Sequence, residues 1–142
     1  MNKYKQFIKK GVAHPLESVP FHHKAPLKRI LMQDEKACPD IKKTLPGSNF
    51  HIAVHIITKL PKKIPKYSEP HIHNCDEINL ILSEKGKLKY KIILGDEEHI
   101  VSSPATIYIP KGIKHSAEVI GGKGIFICIV MSKNYKKSLI KK

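Results

Sequence analysis

Two histidines and a carboxylate stand within seven residues in the stretch Pro70-His71-Ile72-His73-Asn74-Cys75-Asp76-Glu77, directly ahead of the apolar run Ile78-Asn79-Leu80-Ile81-Leu82. In an extended chain alternate side chains share a face, so His71 and His73 project into the same space. Glu77 keeps that parity four residues later, and its carboxylate reaches the same point if the strand resumes after the Asn74-Cys75-Asp76 bend. A neutral imidazole pair with one carboxylate suits a divalent first-row metal and leaves coordination positions open for water or substrate. An isolated HxH is more often an accident than a ligand pair. Its context sets this one apart: a preceding proline, a buried-looking strand after it, and a distant partner. That partner is Pro110-Lys111-Gly112-Ile113-Lys114-His115, where a tight turn launches a histidine at the head of another strand.

Other residues nearby carry two readings each. Cys75 lies between the ligands at their parity, either facing a metal or turned away by the bend as a small hydrophobe. Asp76 is either an acceptor that orients a histidine N–H or a solvated loop carboxylate. His51 and His55 share one face of a strand with Ala53 and Ile57. They either line a pocket as acid/base groups near neutral pH or are satisfied structural histidines. Asn79 and Tyr108 are pocket candidates by alternation. His14, His22, His23 and His99 fall in loops or on charged strands and are read as bystanders, and Cys128 as packing within Ile125–Met131, a run read as a strand buried on both faces.

The elements that must position these residues are strands. From about residue 50 onward, short β-patterned runs alternate with turn signals: Phe50–Thr58, Glu77–Ser83, Leu88–Leu94, His99–Ser102, Thr106–Ile109, His115–Ile120 and Ile125–Met131, separated by segments such as Glu84-Lys85-Gly86 and Gly121-Gly122-Lys123-Gly124. This pitch predicts an all-β chain, a single antiparallel barrel or sandwich over residues 50–131. Residues 1–49, rich in Pro and Lys, read as an irregular arm with one or two short strands that packs on the barrel or a partner subunit, and 132–142 as a short, basic, frayed tail.

Those two histidine segments together resemble the two motifs of the cupin superfamily of small β-barrels. The resemblance covers roughly residues 50–131 and implies a jelly-roll barrel with His71, His73 and Glu77 from the first motif and His115 from the second, all binding one metal inside the barrel. Departures touch turns and a supporting residue: Pro65 and Pro104 replace glycines, Val119 stands where asparagine is usual, and the interval from Glu77 to Gly86 is longer. The ligand types leave iron, manganese, zinc, nickel and copper open. With a divalent ion the site would carry about +1, attracting an anionic or chelating oxygen ligand.

Composition bounds what remains. The chain has 142 residues, 41% hydrophobic and 27% charged, which is ordinary for one globular domain. No apolar run approaches the ~20 residues of a membrane span, and no apolar segment follows the basic N-terminus, so a cytoplasmic protein without a membrane partner is expected. Cys38, Cys75 and Cys128 are too few and scattered for a disulfide framework. The net charge of +14 invites a nucleic-acid reading, but Arg29 is the only arginine among 26 basic residues, the lysines are scattered, and aromatics are 6%. A solvated lysine surface is favoured over specific nucleic-acid binding.

Two functional classes follow. One is a small metal-dependent enzyme, a non-haem dioxygenase (an oxidoreductase) or a lyase/isomerase, acting on a small oxygen-rich substrate; beyond the ligands no catalytic residue is assigned. The other is a noncatalytic module that binds or senses a small molecule, its metal structural. The resemblance and the spare arm imply a homodimer. A metal-free sugar-epimerase type is disfavoured, because such cupins do not keep the four ligands.

Overall fold

The computed structural model describes residues 4, 5, 8, 10–35 and 49–140; Cys38 lies outside them. The described strands in chain order are β1 (Val12–Ala13), β2 (Lys28–Gln33), β3 (His51–Ile57), β4 (Glu77–Leu82), β5 (Leu88–Leu94), β6 (Glu97–Ser102), β7 (Ala105–Ile109), β8 (His115–Gly122) and β9 (Gly124–Val130), followed by one helical turn, α1 (Tyr135–Ser138). No helix among the described residues is long and apolar enough to cross a membrane.

The strands pair antiparallel in two sheets, β1-β2-β3-β9-β4-β7 and β6-β5-β8. Ile57, Ile81 and Phe126 of the larger sheet close one core with Leu88, Tyr90, Ile92 and Val119 of the smaller. The rings of Tyr90 and Phe126 stack across it at 4.5 Å between centroids. The alternation of strands and turns predicts an all-β barrel or sandwich, and the chain forms the jelly-roll barrel that the resemblance implies. Its local cause is visible in β3, where β-branched residues alternate with His51, Ala53 and His55, and every second side chain is buried. The β8–β9 turn depends on Gly122, whose φ of 96° and tight approach to the Lys87 carbonyl leave no room for a Cβ.

Register turns this barrel into a scaffold for a site. Reading across β3, β9 and β4, one inner rung is His55, Phe126 and Ile81; the next is Ala53, Cys128 and Asn79; the last is His51, Val130 and Glu77. His51, Asn79 and Glu77 thus collect toward one end of the barrel, while His55 lies deeper beside Phe126. The opposite face of the same three strands is also apolar. Ile52, Val54 and Ile56 of β3 point outward beside Ile125, Ile127 and Ile129 of β9 and Ile78 and Leu80 of β4. These side chains are half-buried or exposed, so β9, expected to be buried on both faces, has one face in the core and one on the surface.

The ends of the chain contribute more than expected. β2 pairs with β3 along its length and brings Arg29 inward, and residues 134–139, expected to fray, bury Asn134, Tyr135, Ser138 and Leu139. Asn134 caps the turn, its side chain accepting from Lys137 N–H at 3.0 Å.

Candidate metal centre

The segment carrying His71 and His73 is a strip of extended chain stitched on both sides. His71 and His115 exchange backbone hydrogen bonds of 3.0 and 2.9 Å, which sets the two histidine segments side by side. The turn before His115 is held by Gly112 N–H donating to the His73 carbonyl at 3.0 Å and Lys111 N–H donating to Asp76 Oδ1 at 2.8 Å. Gly112 has a φ of 85°, which that turn requires. On the other side, Ile140 N–H bonds the Ile72 carbonyl and Asn74 N–H the Ser138 carbonyl, at 2.8 and 2.7 Å. Upstream, Glu118 Oε2 accepts from Tyr67 and Ser68 N–H at 2.6 and 3.1 Å and anchors the incoming loop to β8.

Each of the three histidines has its Nδ1 committed to an acceptor. His71 Nδ1–H donates to the Glu69 carbonyl at 2.8 Å and His115 Nδ1–H to the Ile113 carbonyl at 2.9 Å. His73 Nδ1–H donates to Ser138 Oγ at 2.7 Å, while that hydroxyl donates onward to the Tyr135 carbonyl at 2.6 Å. A fixed Nδ1–H leaves Nε2 as the free lone pair. The donor nitrogens lie within 4.8 Å of one another, and all three residues are buried. His73 Nε2 is buried without a hydrogen-bond partner.

Glu77 completes the cluster from β4. Its Oε1 lies 3.1 Å from His115 Nε2 and 3.4 Å from His73 Nε2, and its Oε2 accepts from Asn79 Nδ2 at 2.7 Å and from the Cys128 thiol at 3.6 Å. Burial pushes the Glu77 pKa up, but His115, His73 and Asn79 outweigh it and hold the carboxyl at about 2. Burial likewise lowers His115, and Glu77 overcomes it to raise the pKa. Burial leads in holding His73 at about 3, and in lowering His71, which the charge of His115 lowers further. His115 Nε2 and His73 Nε2 thus converge on the Glu77 carboxylate with His71 beside them, a donor set that fits a divalent cation.

A small cavity of about 40 Å³ opens beside the cluster, lined among others by His51, His55, Asn79 and Cys128. His51 and His55 therefore face this space. His51 Nδ1–H donates to the buried Asp34 Oδ2 at 2.7 Å. His55 packs on Phe126 with its Nδ1 unpaired, and its pKa falls to about 3 through burial and the charge of Arg29. Asn79 is 1% exposed and supports Glu77. Tyr108 is not brought into the cavity: it pairs with Ile78 on the outer face and is 55% exposed. Cys75 packs against the core, and Asp76 braces the turn before His115 rather than a histidine. His23 and His99 pair with Glu69 and Glu97 near the surface.

Several residues were not legible as site residues. His22, read as a bystander, lines the cavity edge-on to His71 at 5.1 Å between ring centroids, and burial and His71 lower its pKa to about 4. Cys128, read as packing, faces Glu77. Tyr135 and Ser138 come from the basic tail. Their one available signal is the Asn134 cap, which marks a helical turn but says nothing of where it docks. Arg29, His51 and Tyr135 also border a second cavity of about 260 Å³, reached by His14 and Lys136.

Solved structures share the fold. The chain resembles a cupin-2 domain protein from Rhodospirillum rubrum with a TM-score of 0.51 and 16% identity, over 88% of this chain and 70% of that one. It resembles the polyketide cyclase RemF from Streptomyces resistomycificus with a TM-score of 0.55 and 17% identity, over 87% and 78%. KdgF from Halomonas sp. gives 0.53 and 12%, over 81% and 93%. No protein-family model and no curated protein matches the sequence.

Proposed function

We propose, for a chain with the fold of the cupin superfamily, that His71, His73, His115 and Glu77 hold one divalent transition metal and that the protein is a small metal-dependent enzyme of the dioxygenase or lyase/isomerase class. The observation that carries this reading is the convergence of three Nε2 atoms whose Nδ1 partners are all fixed, with His73 Nε2 left unpaired in a buried place. Leaving a buried polar atom unmade costs on the order of 1–3 kcal/mol, and a cation removes that cost. Such a metal supplies Lewis acidity or a redox centre. The substrate class is small and oxygen-rich, since four protein donors leave open positions suited to oxygen ligands.

The test is thermal unfolding of metal-free protein with added manganese, iron, zinc, nickel or copper. At about 100 times Kd a bound ion contributes roughly 2.7 kcal/mol, a rise in Tm of several degrees, which His115→Ala abolishes. A noncatalytic binding role remains the second reading, and the narrow 40 Å³ cavity favours it. Oxygen uptake or turnover by metal-loaded protein with small carboxylates and sugars separates the two.

The same reading includes a homodimer. Its support is the unbroken apolar outer face of β3, β9 and β4, because a sheet face turned to water ordinarily alternates to polar residues.

A further inference from the structure

The C-terminal turn reaches the histidine cluster at two points, and only one is explained by orienting a ligand. Ser138 fixes His73 through Nδ1. Tyr135 instead approaches the metal-facing side of His71: its hydroxyl lies 3.2 Å from His71 Nε2. Because His71 Nδ1–H already donates to the Glu69 carbonyl, Nε2 is the acceptor and the tyrosine hydroxyl is the donor. Tyr135 is held there firmly. It is 7% exposed, its N–H donates to Asp34 Oδ2 at 3.0 Å, and its ring packs on His51 and His73 at 4.7 and 4.8 Å between centroids.

A cation at the cluster uses the same His71 lone pair that Tyr135 uses. The hydroxyl then needs another acceptor, since a buried donor without one is costly. It stands 3.2 Å from the nitrogen that would hold the cation, within reach of an oxygen bound beside it. We infer that Tyr135 donates its hydrogen bond to the oxygen ligand at the metal, a carboxylate or hydroxamate oxygen of the substrate, and so selects oxygen donors that carry negative charge. This rests on the metal reading above.

The test compares wild-type protein with Tyr135→Phe, which keeps the ring and its packing. Both are loaded with cobalt(II) and titrated with acetohydroxamate, followed by visible absorption. Equal cobalt binding with hydroxamate affinity lowered about tenfold or more in the variant is the expected result, as for a hydrogen bond to a charged oxygen. Cobalt bound by both with unchanged hydroxamate affinity overturns this inference alone. Weaker cobalt binding with unchanged hydroxamate affinity also overturns it, assigning the hydroxyl to holding His71. Absence of cobalt uptake by wild-type protein overturns the metal reading and this inference together.

Discussion

An imidazole offers two nitrogens, and what each histidine does here follows from which one is committed. At His71, His73 and His115 the backbone or Ser138 takes Nδ1, so Nε2 is the nitrogen turned toward the cluster. His55 has no such partner. Its Nδ1 is unpaired and its pKa is about 3, below the usual 6.5. His22, at about 4, and His73, at about 3, are shifted the same way, chiefly by burial. The unfolded chain therefore binds protons below about pH 6.5 that the folded chain refuses. Stability is present above 6.5 and is lost as pH falls toward these folded values, at about 1.4 kcal/mol per pH unit for each group. Glu77, lowered to about 2, adds a loss below about pH 4.5, and His115, raised, opposes by losing stability as pH rises through its folded pKa. Metal-free protein is thus expected to lose Tm steadily between pH 7 and 5. His55→Leu should raise Tm, more at pH 5 than at pH 7.5, in differential scanning fluorimetry; a pH-independent drop contradicts the account. At this scale the sequence shows residue types and local parity, enough to point to His71, His73 and His115. It misplaces Tyr108, because alternation cannot say which parity of β7 faces inward until pairing with β4 sets Tyr108 opposite Ile78.

Among the elements, strands were the most legible. Their apolar alternation and glycine-bearing turns are local properties, and the observed boundaries differ from the expected ones by at most two residues in all seven cases. The C-terminal turn was not, since its residues acquire meaning only by docking between residues 72–74 and the Asp34 carboxylate. That docking can be tested directly. Ser138→Ala removes the acceptor of His73 Nδ1 without touching a ligand atom. Metal affinity, measured by competition with a chromophoric chelator, is expected to fall by roughly 10–100-fold, with a loss of only about 1 kcal/mol in unfolding. Unchanged affinity would mean that His73 is oriented by packing alone.

For the molecule as a whole, the apolar outer face of the larger sheet and the net charge of +14 pull in opposite directions. Charge keeps copies apart at long range, while the face rewards contact at short range. Homodimerisation through β3, β9 and β4 is expected, strengthening as salt screens the lysines. Ile127→Lys, at the centre of that face, should shift the mass measured by light scattering from two chains to one. Wild-type protein that is monomeric at every salt concentration would refute the interface. The sequence hinted at this surface only through the apolar run of β9. Which of its two faces meets the core depends on the neighbours β3 and β4, which lie far away in the chain.

The central claim is that four side chains from two distant segments form one metal centre. Its most direct measurement is elemental analysis of protein purified without chelator or affinity histidine tag, beside His73→Ala. About one equivalent of a transition metal per chain, lost in the variant, is the predicted result. Equal metal content in both proteins, or none in the wild type even after reconstitution, would contradict it.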